Sequence, residues 1–162
     1  MYRRGHWGVT LLVFAPVGFG LVLVGRPALA VAGGVAMLWL SMLPDYDHRI
    51  PGLSHRGPTH TLAFAALVGV AGAGAGVGLA TVFQGGHETL VPFGFAIGAL
   101  AVIAHLLADA LTPAGVPFLW PLSGRDFSVY LTRADNTVAN YVLLAVGVCI
   151  TAVAALLATR VG

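Results

Sequence analysis

Apolar residues run in five long blocks, at about 9–25, 27–43, 60–83, 91–112 and 137–159, and polar residues gather in the joints between them. Each block is roughly 17–24 residues, which at ~1.5 Å per helical residue spans the ~30 Å hydrocarbon core of a bilayer. The pattern predicts an all-α integral membrane bundle of about five transmembrane helices, a single membrane domain over residues 1–162. Only Gly25-Arg26-Pro27 separates the first two blocks, which predicts a tight helical hairpin. Pro44 is expected to stop the second helix, because proline cannot donate the helical hydrogen bond. In the third block Gly72 and Gly76, and likewise Gly74 and Gly78, have the small-xxx-small spacing that lets membrane helices approach closely. The longest joint, Pro113 to Asn136, carries Val116-Pro117-Phe118-Leu119-Trp120-Pro121-Leu122 and is expected to lie in the headgroup zone. Ser123-Gly124-Arg125-Asp126 reads as a turn, and Asp135 or Asn136 as the cap of the fifth helix.

Composition strengthens the membrane reading. The chain is 58% hydrophobic and 9% charged, against roughly 25% charged in soluble domains, too little charge to cover a water-facing surface. The net charge of +2 comes from arginine alone. With the N-terminus inside, Arg3, Arg4, Arg49, Arg56, Arg125 and Arg133 share one side and Arg26 and Arg160 the other, which by the positive-inside rule predicts an N-in, C-out multi-pass protein. The basicity thus reports orientation and contact with membrane lipid, and no nucleic-acid partner is expected. Arg3-Arg4, an apolar run and Ala28-Leu29-Ala30 have the parts of a cleavable signal. The run, however, exceeds the usual 7–15 residues, Arg26-Pro27 interrupts it, and cleavage would leave the second block too short to span. Cys149 sits alone in an apolar run, which rules out an intramolecular disulfide and a thiolate cluster.

The ionisable residues are unevenly placed. Between Leu43 and His60 lie two of the six acidic residues and three of the six histidines. On the expected topology His6, Asp45, Asp47, His48, His55 and His60 share the cytoplasmic side with His105 and Asp109, near the end of the fourth helix. His87-Glu88 forms a polar loop on the other side, and His6 stands just before the first helix. His105, Asp109 and Thr112 are spaced by four and three, which aligns them within roughly 60° on one helix face. An unpaired Asp or His inside a membrane costs a few kcal/mol and so faces a partner or a cavity. For this pair alone, a helix–helix hydrogen bond serves as well as a metal. Imidazole nitrogens with carboxylate oxygens and no thiolate suit zinc first, then manganese or iron, and the inventory is enough for one or two ions. The expected ligands are His60, His105 and Asp109, then Asp45 and His48, then His6. Asp47 is the candidate general base, although it can equally cap a turn. His55 is read as an orienter or a solvent-exposed residue. Arg56, less so Arg125, is the candidate clamp for an anionic group, with topology anchoring the plainer role for both.

Leu43-Pro44-Asp45-Tyr46-Asp47-His48, then His55-Arg56-Gly57-Pro58-Thr59-His60, then His105-x-x-x-Asp109-x-x-Thr112-x-x-Gly115 and Trp120-Pro121 resemble, in content and order, the motifs of the YdjM-type family. The early His6 fits as well. The resemblance implies an inner-membrane helical protein with a His/Asp metal centre and metal-dependent hydrolase activity. A centre about 5–10 Å inside the interface is close to lipid headgroup esters, so the expected substrate is a lipid or lipid-linked phosphoester. Two other functions fit the same residues: a metal or proton transporter, since intramembrane ionisable residues mark pathways, and a non-catalytic membrane protein whose metal staples loop to helix.

Overall fold

A computed structural model describes residues 1–52 and 54–161; Leu53, inside the histidine-bearing stretch, lies outside them. The helices are α1 (Arg3–Leu23), α2 (Pro27–Leu40), α3 (Leu62–Val82), α4 (His87–Ala110) and α5 (Thr137–Val161). Two 3-10 turns, Pro44–Arg49 and Pro58–His60, occupy the stretch between α2 and α3. In the α4–α5 segment, Val116 and Phe127 pair in an isolated antiparallel bridge. Among the described residues, five helical stretches are long and apolar enough to cross a membrane, the second only when its turn is counted, over the 23 residues Pro27–Arg49.

Lipid tails are as apolar as leucine, so these helices associate through close packing and hydrogen bonds, not through water exclusion. Glycine provides the close approach. A Cβ at Gly72 would run into the Gly94 carbonyl oxygen and one at Gly76 into that of Leu90, which places α3 antiparallel on α4. Gly8 lies on the Leu143 backbone, and further along both helices the Thr151 hydroxyl donates to the Leu11 carbonyl at 3.1 Å, which sets α5 parallel to α1. Gly74 and Gly78 face open space, so only the Gly72/Gly76 member of the expected pairs is a packing surface. Gly72→Leu is accordingly expected to destabilise the protein by about 1–3 kcal/mol through overpacking, read as a lower unfolding midpoint in detergent. Gly74→Leu should leave that midpoint unchanged.

Helix α4 is the central element. Ile97, Ala101 and Ala104 pack with Phe14 of α1 and Met37 of α2, while Val102, Leu106 and Ala110 pack with Ala65 and Val68 of α3 and with Val116. The residues of the expected His/Asp stripe are therefore enclosed on several sides. Helices α1, α3 and α5 begin, and α2 and α4 end, at one end of the bundle, which gathers the chemistry-bearing residues there. Arg3, Arg4, Arg49, Arg56, Arg125 and Arg133 lie at this end, with Arg26 and Arg160 at the other.

Four boundaries differ from expectation. Helix α1 starts at Arg3, not near residue 9, so His6 is a helical residue; a helix can extend past its apolar block where the following turns pack. Helix α2 ends at Leu40, before Pro44, which instead opens the first 3-10 turn. His60 is on the turn ahead of α3, whose cap is Thr61: its Oγ1 accepts from the Phe64 N–H at 3.1 Å. His87 and Glu88 form the first turn of α4, not a loop, and place a carboxylate at the positive end of the helix dipole. Asn136 is the capping group for α5, accepting from the Ala139 N–H at 3.1 Å.

Candidate metal centre

His105 and Asp109, on consecutive turns of α4, have fully buried side chains. The imidazole of His105 is aimed by the backbone: because α2 ends early, the Ser41 carbonyl is free to take the Nδ1–H of His105 at 2.7 Å. That bond fixes the tautomer and leaves Nε2 as a bare lone pair. His6, stacked on His105 with ring centroids 4.1 Å apart, is oriented the same way, its Nδ1 3.2 Å from the Tyr2 carbonyl oxygen.

The stretch after α2 folds over this end of the bundle and is organised by Asp47. One carboxylate oxygen of Asp47 accepts from His55 Nδ1 at 3.1 Å. The other accepts from the Arg56 backbone N–H at 3.2 Å and from Thr59 Oγ1 at 3.0 Å. Since the Thr59 hydroxyl donates to Asp47, it accepts from Nδ1 of His60, 3.0 Å away, and a third Nε2 is left bare. Arg56 adopts a left-handed φ of 60°, uncommon for a residue with a side chain. Its contacts hold it there: the guanidinium donates to the Gly115 carbonyl at 2.7 Å and lies 3.1 Å from Asp109 Oδ1.

These constraints converge on one point. His60 Nε2 and His105 Nε2 face each other at 3.2 Å. Asp45 Oδ1 is 3.6 Å from the first and 3.5 Å from the second, and Asp109 Oδ2 is 3.6 Å from each. A tetrahedral ion with bonds of ~2.0–2.1 Å keeps its donors about 3.3–3.4 Å apart, so this set has the spacing of a zinc-sized site. The donor chemistry agrees. Two imidazole lone pairs and two carboxylates point at one another, an arrangement that repels itself until a cation enters. Asp109 Oδ2 and His6 Nε2 are buried and make no hydrogen bond among the described residues. Asp109 Oδ1 is occupied by Arg56 at 3.1 Å and by the Met1 amino group at 2.6 Å, with the His6 Nε2 lone pair 3.3 Å away and unbonded, which leaves Oδ2 for the centre.

Asp45, His60, His105 and Asp109 thus form one group able to hold a metal, and Asp45, His48 and His55 form another that shares Asp45. A third, Asp47, His55 and His60, lies between them. The imidazoles of His6, His105, His60, His55 and His48 make a continuous run of ring contacts from the interior to the rim. All six expected ligands lie at this end, four of them in the first group. Of the two expected catalytic residues, Asp47 is fully engaged behind the histidines and Arg56 is bound to the end of α4. Arg125 is exposed in an irregular stretch, its N–H bonded to Ser123 Oγ at 3.3 Å; the turn expected at 123–126 falls instead at 118–122. His87 and Glu88 stand at the opposite end. The orienting groups of Ser41, Tyr2 and Thr59 were not anticipated; two are backbone carbonyls, which leave no residue-type signal.

The profile of the family described as YdjM inner membrane protein matches residues 1–161. The chain belongs to the YdjM family. It is 33% identical over 128 residues to the inner membrane protein YdjM of Escherichia coli (strain K12) and, at the same level, to that of Shigella flexneri. Each match covers 64% of this chain and 57% of the relative, so the chain spans a little over half the length of the curated relatives it matches. No solved structure matches the chain. YdjM membership and the five membrane-length helices make this a membrane protein with His/Asp groups able to hold a metal; the family name states no catalytic activity.

Proposed function

We propose that this YdjM-family chain is a metal-dependent hydrolase, its centre held by Asp45, His60, His105 and Asp109 with His6 adjoining, acting on a lipid or lipid-linked phosphoester at the cytoplasmic face of the inner membrane. The observation that carries the reading is the convergence of bare Nε2 lone pairs and carboxylate oxygens at tetrahedral spacing, with Asp109 Oδ2 left without a hydrogen bond. Zinc suits the donors best, with manganese or iron as alternatives. A second ion would be held by Asp45 and His48 at the rim, with His55 kept for proton transfer. Six arginines at the site end against two at the other support a cytoplasmic orientation.

When bound, a divalent cation supplies a water acidified toward neutral pH and polarisation of a phosphoryl oxygen. The protein contributes the rest. Asp47 acts through His55: its carboxylate holds Nδ1–H at 3.1 Å and leaves Nε2 of this half-exposed ring to take a proton from the attacking water and return it to the leaving oxygen. Thr59 and Asp47 together hold the ring of His60. Arg56, expected as an anion clamp, is assigned instead to holding Asp109 and the end of α4 in place.

Asp47→Asn is expected to retain metal while turnover falls about 10–100-fold, as for other groups that orient a ligand or base; metal content and rate measured on one preparation check this. The proposal itself is tested by incubating metal-loaded and chelator-treated protein with mixed membrane lipids. Product formed only by the metal-loaded sample supports it. Metal flux into proteoliposomes without product would favour the transporter, and metal-dependent stability with neither would favour a structural staple.

A further inference from the structure

Arg3 and Arg49, at the site end, take no part in the donor network. Arg3, at the start of α1, lays its guanidinium over the Trp7 ring, 4.4 Å from the centroid, and Arg49 lies 5.0 Å over the Tyr46 ring. Arg56 and Arg133, by contrast, are ion-paired with Asp109 and Asp135. Neither Arg3 nor Arg49 forms an ion pair among the described residues. A guanidinium stacked on an aromatic face keeps its in-plane N–H donors available.

Both arginines line one cavity of about 210 Å³, completed by Trp39, Met42, Asp45 and Tyr46. Asp45 is the connection to the centre. Its side chain is 25% exposed, whereas those of His60, His105 and Asp109 are fully buried. The cavity therefore reaches the four-donor group at Asp45. It is smaller than the ~300–1,000 Å³ pockets that enclose a whole small molecule, so it suits a polar headgroup and not an entire lipid. Trp39 and Tyr46 also line an apolar slot of about 170 Å³ with Leu40 and Leu43, and Trp39, one residue before the end of α2, is 74% exposed.

We infer that Arg3 and Arg49 form an anion-recognition site for this centre, holding the phosphate of an anionic phospholipid headgroup above Asp45 while an acyl chain leaves along the Trp39–Leu40–Leu43–Tyr46 slot. The inference deepens the hydrolase reading by naming its substrate class and anion-binding residues, and binding is measured separately from turnover so that the two stand or fall apart. The two guanidinium charges exceed the single charge of Asp45 at the cavity floor, and the planar forks match phosphate oxygens. The apolar slot beside them favours a lipid over free phosphate.

The experiment is native mass spectrometry of the full chain in detergent with dioleoyl phosphatidylglycerol or dioleoyl phosphatidylcholine, in the presence of zinc and then of chelator. Wild type is expected to retain one phosphatidylglycerol. Arg3→Gln and Arg49→Gln should each weaken that retention by about tenfold, with helix content and metal content unchanged. Arg160→Gln, at the other end, should match wild type. Equal retention of phosphatidylglycerol by wild type and the Arg3→Gln/Arg49→Gln double variant would overturn the site. Displacement of phosphatidylglycerol by an equal concentration of inorganic phosphate would overturn the lipid source. Arginine-dependent retention in a protein that binds no metal would uphold the anion site and overturn the hydrolase reading.

Discussion

Asp109→Ala is expected to lose its metal and, with it, lipid-phosphoester turnover, by on the order of a hundredfold or more, since even groups outside the ligand set are worth 10–100-fold. Asp109 does two jobs at once. Oδ2 faces His60 and His105 Nε2, both at 3.6 Å, and Oδ1 receives Arg56 at 3.1 Å. Removing the carboxylate deletes a ligand and leaves Arg56, a largely buried cation, with the Gly115 carbonyl and the Thr112 hydroxyl as its side-chain partners among the described residues. Breaking a buried pair in this way costs about 3–5 kcal/mol, so the alanine variant is expected to be less stable as well. Asp109→Asn separates the effects: it preserves volume and one acceptor oxygen but removes the ligand charge. It should fold closer to wild type in unfolding midpoint, yet still turn over poorly. Wild-type rates in the asparagine variant would place Asp109 outside the chemistry.

Chelation is expected to lower the unfolding midpoint sharply, and zinc to restore it. The physical cause is the centre's own repulsion. Nδ1 of His6, His60 and His105 is committed to Tyr2, Thr59 and Ser41 respectively, so the Nε2 lone pairs cannot turn away from the Asp45 and Asp109 carboxylates without giving up those bonds. A cation that binds only the folded state adds RT ln(1 + [L]/Kd), about 4 kcal/mol at a thousandfold excess over Kd. Thermal unfolding in detergent, followed by light scattering or near-ultraviolet circular dichroism, measures the shift. Magnesium at equal concentration is expected to do little, since it prefers an all-oxygen octahedral shell and keeps its waters. Identical midpoints with chelator and with zinc would contradict a resident metal.

Much of this was legible in the sequence because the bilayer imposes simple rules. Block length and arginine placement were enough to draw the five membrane-length helices, and the four-residue spacing brought out His105 and Asp109. The differences share a cause: hydropathy marks where lipid touches a helix, not where its hydrogen bonds start. Helix α1 therefore extends six residues earlier than expected and carries His6 into the core, and α4 begins at His87. The two glycine pairs of α3 have identical spacing, and only the position of α4 decides that Gly72 and Gly76 are the ones in contact.

The candidate site was legible as an inventory and illegible as a geometry. Asp45 and Asp47 are two residues apart and chemically equivalent on paper. The 3-10 turn separates them, sending Asp45 toward His60 and His105 Nε2 and Asp47 back toward His55, Thr59 and the Arg56 N–H. The carbonyls of Ser41 and Tyr2 orient the ligands, and every residue has a carbonyl, so no pattern of side chains reveals them. Arg3 and Arg49 read as orientation signals along the chain. Only the fold shows them lining the same cavity as Asp45.

Elemental analysis of purified wild type beside Asp109→Ala and Asp109→Asn tests the metal centre most directly. The expected result is one or two equivalents of zinc, or of manganese or iron, per wild-type chain, and loss of at least the ion shared by His60 and His105 in both variants. Full metal occupancy in the variants, or none in wild type after growth and purification with zinc, would contradict the centre.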